Sequence, residues 1–448
     1  MGAGGKRALM WLAPAFSLLA NAAARVYYRL TVAGDRVPGD GPVLLVANHP
    51  NSLIDPILVC AAARRPVRFL AKAPLFSDFK TGWMMRAVGA IPVYRRVDDP
   101  ALMDRNTDTF RAVYATLARG AAVGIFPEGQ SHSEPSMVTL KTGAARIVLG
   151  THAAHGTRVP IVPMGLVFRQ KDIFRSDALI VVGSAVPWDD LADRGTEDPD
   201  AVRDLTERIG VGLRQVTLNL ERWEDRPLVE TAVAVWEAEW GSGPDRAERV
   251  QRLDVTTRIL ADLRRAPDPR WDELVRAVRA HRRRLARLRL SPRWLGARAD
   301  LATSVGWAVR RYVLVMPMAL LLALAGLLLF LAPYWLTGKL VDRLRLDVDE
   351  RSTWKLLLGG AVYGAWLLLL AVVAGFSQGP SAVLAVLLVV PVVGMAGLVI
   401  RERWRGAWID ARRFFLLRSR QDLVATLRDR QRELAERFKL LYQERSLV

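Results

Sequence analysis

Three uncharged apolar runs set the limits on what this chain can fold into: Tyr312 to Leu336, Leu356 to Phe376 and Ser381 to Ile400, of 25, 21 and 20 residues. A helix of about 20 apolar residues crosses the ~30 Å hydrocarbon core of a bilayer. The runs therefore predict a membrane-helical region over residues 306–403. Ser377-Gln378-Gly379-Pro380 reads as the tight turn of a helical hairpin between the last two runs. Trp335 near the end of the first run, and Arg401, Arg403 and Arg405 after the third, have the character of interface anchors. Arg310 and Arg311 precede the first run, while Lys339, Arg343, Arg345, Arg351 and Lys355 follow it. Three simple spans would put one of these clusters on the outer face, against the positive-inside bias. Either the first run is re-entrant, which Pro317 and Pro333 permit, or the bias is overridden; the sequence leaves both open.

The rest of the chain carries the charge. In 448 residues, 64 Lys and Arg oppose 45 Asp and Glu, a formal net charge of +19. Such a balance suits an anionic partner: a lipid surface, a phosphorylated substrate or nucleic acid. The single cysteine, Cys60, excludes a disulfide within the chain and a zinc cluster built from thiolates. At the N-terminus, Lys6 and Arg7 precede the apolar stretch Ala8 to Ala20. A membrane-interfacial helix over residues 1–26 is the expectation, with a spanning segment or a cleaved signal as the alternatives.

Residues 27–190 have the pattern of an α/β domain. Short apolar runs at Val43–Ala47, Val67–Ala71, Ala90–Tyr94, Ala122–Phe126, Arg158–Phe168 and Leu179–Val182 predict strands. Stretches of helical spacing separate them, such as Met103–Leu117 and Thr142–Ala153. The alternation predicts a mostly parallel sheet flanked by helices, with functional residues at the C-terminal strand ends. Residues 191–305 read as a basic helical region. The Arg-rich run Arg279 to Arg289 lies shortly before the first apolar run, a position that favours anionic membrane lipids over nucleic acid. Residues 404–448 read as a charged helical tail.

Four signals follow one another within the α/β domain. His49 stands just past the strand Val43–Ala47, with Asp55 six positions on. An imidazole can take a proton from a hydroxyl while a carboxylate fixes its tautomer. Gly89 to Arg96 is a strand ending in two guanidinium groups, suited to holding phosphate. Phe126-Pro127-Glu128-Gly129-Gln130-Ser131-His132-Ser133 is a strand running into a glycine turn, with Lys141 shortly after. Its backbone N–H groups can approach a ligand closely at Gly129. Val159 to Gly165 is an apolar strand of the kind that lines a hydrophobic groove.

In this order the motifs, Asn48–Asp55, Gly89–Arg95, Phe126–Ser133 and Ile161–Gly165, resemble the four boxes of the glycerolipid (phospholipid and glycerol-phosphate) acyltransferase family, over roughly residues 25–190. Five residues separate His49 from Asp55 where the common box has four, with Pro50-Asn51 as the site of the extra residue. That longer box resembles a subgroup of glycerol-3-phosphate and dihydroxyacetone-phosphate acyltransferases. The third box has Ser131 where the family usually has Arg, so one expected phosphate contact is missing, and Arg96, Lys72 or Lys141 would have to substitute. The resemblance implies acyl transfer from acyl-CoA or acyl-carrier protein to glycerol 3-phosphate or 1-acylglycerol 3-phosphate, with no metal and no cofactor beyond the thioester co-substrate. It implies His49 as general base, Asp55 as its orienting acid, and Arg95, Glu128 and Gly129 at the acceptor. Arg95 would take the phosphate, while Glu128 would hold a glycerol hydroxyl or a basic side chain. Pro163 would border the acyl groove, and His132 would be a further polar contact or a surface turn histidine. The catalytic domain would lie on the cytoplasmic face of a membrane. The alternatives are a lysophospholipid-remodelling enzyme with a different acceptor and a non-catalytic lipid-binding adaptor.

Overall fold

The computed structural model describes residues 13–78, 81–95, 100–241, 246–265, 269–295 and 316–446. In chain order the first elements are α1 (Ala13–Tyr27), β1 (Tyr28–Gly34), β2 (Val43–Ala47), α2 (Ile54–Ala63), β3 (Val67–Lys72), α3 (Pro74–Ser77), α4 (Gly82–Ala87), β4 (Ile91–Val93) and α5 (Asn106–Ala118). They are followed by β5 (Ala122–Ile125), α6 (Gly143–His155), β6 (Ile161–Phe168), β7 (Ser176–Val182) and α7 (Pro199–Val216). The seven strands form one sheet in the order β1-β7-β6-β2-β5-β3-β4. Every pairing is parallel except β6 with β7. The mostly parallel α/β sheet expected from the strand–helix alternation is therefore present.

Central strands read as unbroken apolar runs because both faces are covered. All five residues of β2 are buried. One face, with Leu44, Val46, Val123, Ile125 and Ile161, forms the main core with residues of α5, α6 and α7. The sheet order places the ends of β2 and β5 side by side, with Val46 opposite Ile125. The loops after these two strands, which carry the first and third motifs, are neighbours for that reason.

Two features differ from expectation. Strand β1 has no long apolar run; its side chains alternate in burial along an edge strand, a pattern too short to stand out. The α/β unit also extends beyond residue 190. Helix α7 buries Ala201, Val202, Leu205, Ile209 and Leu213 in the main core, so the start of the expected basic helical region is core of the α/β domain. Close approach fixes α7 on the sheet: a methyl group on Gly165 of β6 would lie 1.7 Å from the Val216 carbonyl oxygen.

The chain divides into two units. The first is Met1–Asp225 with Gly243–Arg258 and Asp347–Thr353; the second is Arg226–Ser242, Ile259–Leu346 and Trp354–Val448. The remaining helices are α8 (Arg226–Trp240), α9 (Arg246–Arg265), α10 (Pro269–Leu288), α11 (Pro292–Leu295), α12 (Met316–Asp342), α13 (Val348–Gln378), α14 (Pro380–Ser419) and α15 (Gln421–Ser446). In the basic run, α10 buries Leu274, Val278, His281 and Leu285 on one face. Arg276, Arg279, Arg283 and Arg287 are exposed on the opposite face. Leu285 joins Leu290, Leu295 and Leu427 in a small core.

Helices α12, α13 and α14 are each long and apolar enough to cross a membrane. Their large apolar side chains face outward, with Phe376 91% exposed. Apolar surface of that extent fits lipid and is rare on a water-facing protein. The helices overrun the apolar stretches at their ends, because the flanking charged residues continue the helix. The expected boundary at residue 403 falls inside α14, which runs to Ser419. Tyr312–Val315, Arg310, Arg311 and residues 1–12, with the start of the N-terminal apolar stretch, lie outside the described residues; the rest of that stretch is in α1.

Candidate active site

The first motif is a turn between β2 and α2. After β2 the chain leaves the sheet at Asn48, whose side-chain amide makes a reciprocal pair of hydrogen bonds with the Leu166 backbone (3.1 and 2.7 Å). This ties the strand end to β6. His49 follows, then a tight turn closed by Ile54 N–H to Asn51 O (3.1 Å) and Asp55 N–H to Ser52 O (3.2 Å). Ser52 takes a left-handed φ of 49°, which lets the longer box make its turn without displacing the acid. Its N–H donates to the Ser131 hydroxyl at 3.0 Å. Ser131 of the third motif thereby holds the turn of the first.

Asp55 sits in the first turn of α2, fully buried. Its Oδ2 lies 2.8 Å from His49 Nδ1 and also accepts the Asn51 N–H at 2.7 Å. With Asp55 Oδ2 as the acceptor, Nδ1 is the protonated ring nitrogen. Nε2 is left as the atom with a free lone pair, on a side chain 18% exposed. Burial pushes the Asp55 carboxyl up from the ordinary carboxylate range, and the hydrogen bond from His49 opposes it. The His49 ring stacks on Phe126 with centroids 4.0 Å apart and planes 10° apart, and Phe69 lies against the other side of Phe126 at 5.5 Å. Asp55 and Phe126 together fix the position and rotation of the ring.

Glu128 holds a basic side chain, His132. It is buried, and both oxygens are occupied by the protein. Oε1 accepts the His49 N–H at 2.8 Å, and Oε2 accepts the Val138 N–H at 3.2 Å as well as pairing with His132 Nε2. Holding a basic side chain is one of the two roles expected of it, and it also joins two loops. His132 is likewise no surface histidine: it pairs with Glu128, and its N–H donates to His49 O at 3.1 Å. The pairing with Glu128 raises the His132 imidazole above its ordinary range.

Gly129 has φ +74°, a conformation that excludes most side chains, and turns back so that its N–H reaches Phe126 O at 3.0 Å. Arg95, two residues past β4, donates from Nη1 to Gly129 O at 3.0 Å. The guanidinium of the second motif thereby reaches the glycine turn of the third. Lys141 passes over Gly129, its Cγ 3.5 Å from where a Cβ would stand. Lys72 is exposed at the end of β3, in register with Val93 of β4. Arg96 lies outside the described residues.

Pro163 does not face a groove. It is buried in β6, and its ring lies toward Gly183 and toward Gly212 of α7, so a helix covers the surface on which an acyl chain was expected. Strand alternation puts Val162 and Met164 on the opposite face. Among the described residues, no group of three or more His, Cys, Asp or Glu side chains could hold a metal ion. Cys60, in α2, has a thiol that burial pushes up to about 11. His152 lies 3.5 Å from Asp193, away from the site motifs.

Two residues at the site, Tyr28 and Lys171, carried no signal in the sequence. Asn51 is buried and donates to the Tyr28 hydroxyl at 2.8 Å. Lys171, between β6 and β7, donates to Pro50 O at 2.8 Å and to the Ser133 hydroxyl at 2.6 Å. Each acts through partners far away in sequence, which no local spacing reveals.

A family model described as Acyltransferase matches residues 29–167. Glycerol-3-phosphate O-acyltransferase 2 of Saccharomyces cerevisiae is 35% identical over 130 residues, which is 28% of this chain and 18% of that protein. Glycerol-3-phosphate O-acyltransferase 1 of the same yeast is 25% identical over 271 residues, 56% of this chain and 35% of that protein. The chloroplastic 1-acyl-sn-glycerol-3-phosphate acyltransferase LPAT1 of Arabidopsis thaliana is 29% identical over 141 residues, 31% of this chain and 37% of that protein. The chain thus spans well under half the length of each of these relatives. The crystal structure of the 1-acyl-sn-glycerophosphate acyltransferase PlsC from Thermotoga maritima aligns with a TM-score of 0.34 and 18% identity, covering 48% of this chain and 82% of that one.

Proposed function

Through residues 29–167 this chain belongs to the glycerolipid acyltransferase family, and on that premise we propose that it moves a fatty acyl group from a thioester to the hydroxyl of a glycerol phosphate. The observation that carries the proposal is the His49–Asp55 pair at 2.8 Å, with Nε2 left as the proton-accepting atom. Nε2 takes the proton of the acceptor hydroxyl as its oxygen attacks the thioester carbonyl carbon. A tetrahedral oxyanion forms, and its collapse breaks the carbon–sulfur bond. The imidazolium returns the proton to the departing thiolate, giving an ester and a free thiol. The alcohol attacks directly, so no acyl-enzyme is needed.

Asp55 supports the imidazolium that forms between the two proton transfers. Arg95 supplies positive charge for the acceptor phosphate, with Lys141 above the same turn and Lys72 at the neighbouring strand end. Glycerol 3-phosphate is the first-choice acceptor: the longer first motif and the names of the two yeast relatives support it, and 1-acylglycerol 3-phosphate is second. Acyl-CoA and acyl-carrier protein both supply the required thioester. The apolar helices support a membrane location, and the proposal puts the catalytic domain on the cytoplasmic face. The exposed arginine face of α10 fits anionic lipid, at about 1 kcal/mol per cationic side chain near such a surface.

The test is purified full-length protein in detergent with labelled acyl-CoA or acyl-carrier protein and each acceptor, beside His49→Ala. Esterified glycerol phosphate from the wild type alone supports the proposal. No product from either acceptor with either donor contradicts it.

A further inference from the structure

We propose that Lys171 is a positioning residue for the His49–Asp55 pair, and that the segment Asp347–Thr353 at the start of α13 anchors it. This rests on the acyltransfer reading of that pair. Lys171 belongs to none of the four motifs, yet its ammonium joins two of them. It donates to Pro50 O (2.8 Å), the residue after His49, and to the Ser133 hydroxyl (2.6 Å), the residue after His132. The turn that carries the base and the loop that carries Glu128 are held together at this point.

The backbone of the same residue closes a circuit. Lys171 O accepts from the Tyr28 hydroxyl and from the Ser352 hydroxyl. The Tyr28 hydroxyl accepts from the Asn51 side chain, and the Asn51 N–H donates to Asp55 Oδ2. Ser352 is fully buried, and its neighbour Arg351 lies 3.9 Å from Asp172. Residues Asp347–Thr353 belong to the same unit as the α/β domain, although the chain on either side of them belongs to the other.

Charge gives the arrangement a consequence beyond support. Asp349, Asp55 and Asp172 face Lys171 and favour its cation, while burial draws the amine below its usual range. Arg351 faces Asp172, and the His132–Glu128 pair flanks the other side of the first motif. Asp55 faces His49 and Lys171, with Tyr28 nearby. A fixed cation beside the His49–Asp55 pair favours the ionised carboxylate and opposes uptake of a proton by the pair, which titrates as a unit. A lysine that served only as packing would lack this effect.

The experiment compares wild-type full-length protein with Lys171→Met, Lys171→Arg and Ser352→Ala, each checked for cooperative thermal unfolding. Diethyl pyrocarbonate modifies neutral imidazole, and mass spectrometry of the His49 peptide gives its rate across pH without any substrate. In Lys171→Met the midpoint moves to higher pH by about half a unit or more, the direction expected on losing a nearby cation. Lys171→Arg keeps the charge and returns the midpoint toward wild type. Ser352→Ala loosens the anchor and moves it the same way by less, and it decides the matter if Lys171→Met does not fold. In parallel, kcat for Lys171→Met falls about tenfold, less than the roughly 10²–10⁴ that a positioned base contributes, while KM for glycerol 3-phosphate holds. A midpoint unmoved in the folded variants overturns the proposal. A wild type that makes no product while the midpoint shifts leaves this inference standing and removes the acyltransfer reading.

Discussion

His49 is held by a carboxylate, by an aromatic face, and by Glu128 at its backbone N–H. Removing the imidazole with His49→Ala should cost about 10²–10⁴ in kcat, the usual share of a positioned base, with KM for the acceptor little changed. Asp55→Asn should also lower kcat, because an amide can present its N–H to Nδ1 and leave Nε2 carrying the proton. Arg95 belongs to a different part of the reaction. Arg95→Ala should raise KM for phosphate-bearing acceptors and leave kcat at saturation comparatively intact; a loss confined to kcat would remove Arg95 from the phosphate site. The His132–Glu128 clasp predicts a pH effect on stability. His132 binds its proton more tightly in the folded state than in the unfolded chain. Its contribution is therefore complete below the ordinary imidazole range and is lost as pH rises through the raised native value. Thermal melts of wild type and His132→Asn should differ most in mild acid and converge on the alkaline side; a gap that widens with pH would contradict the clasp.

At the scale of elements, the site is the junction of two loops leaving adjacent parallel strands. The apolar runs marked β2 and β5 closely, because strands covered on both faces need no polar alternation. The same reasoning missed β1, whose half-exposed pattern is common to many non-strand stretches. His49, Asp55 and Arg95 were legible because each ends or follows an element with a clear pattern. Glu128 was legible as a special residue but not as a clamp, since its partners at His49 and Val138 come from separate loops. Pro163 was assigned to a groove because the sequence could not say which face of β6 helix α7 would cover. The packing of α7 makes its own prediction. Gly165→Ala would drive a methyl group into the Val216 carbonyl, and backbone cannot yield as a side chain does. The cost should be about 1–3 kcal/mol or more, read as a lowered melting temperature. An unchanged melt would mean that α7 is not seated as described.

For the molecule as a whole, Asp347–Thr353 shares a unit with His49 and Asp55 while opening α13, a helix long enough to cross a bilayer. The junction between α12 and α13 should then lie on the catalytic domain's side of the membrane, and the Ser377–Pro380 turn on the other. The positive-inside bias agrees if the first run is re-entrant, so that Arg310 and Arg311 share that face with Lys339, Arg343, Arg345, Arg351, Lys355, Arg401, Arg403 and Arg405. In a Cys60→Ala background, a cysteine at Arg345 should resist a membrane-impermeant maleimide added to intact cells, and one at Gln378 should react; the reverse pattern would place the junction outside. The exposed arginines of α10 add a salt-sensitive attraction to anionic vesicles, which substitution of Arg276, Arg279, Arg283 and Arg287 by Gln should weaken in a flotation assay. The central claim is that His49 is the base for acyl transfer to a glycerol phosphate. Its most direct test is initial-rate product formation by full-length protein in lipid vesicles, with labelled acyl-CoA and glycerol 3-phosphate, for wild type and His49→Ala side by side. The account predicts esterified glycerol phosphate from the wild type and a rate at least about a hundredfold lower from the variant. Equal rates from the two proteins would contradict it.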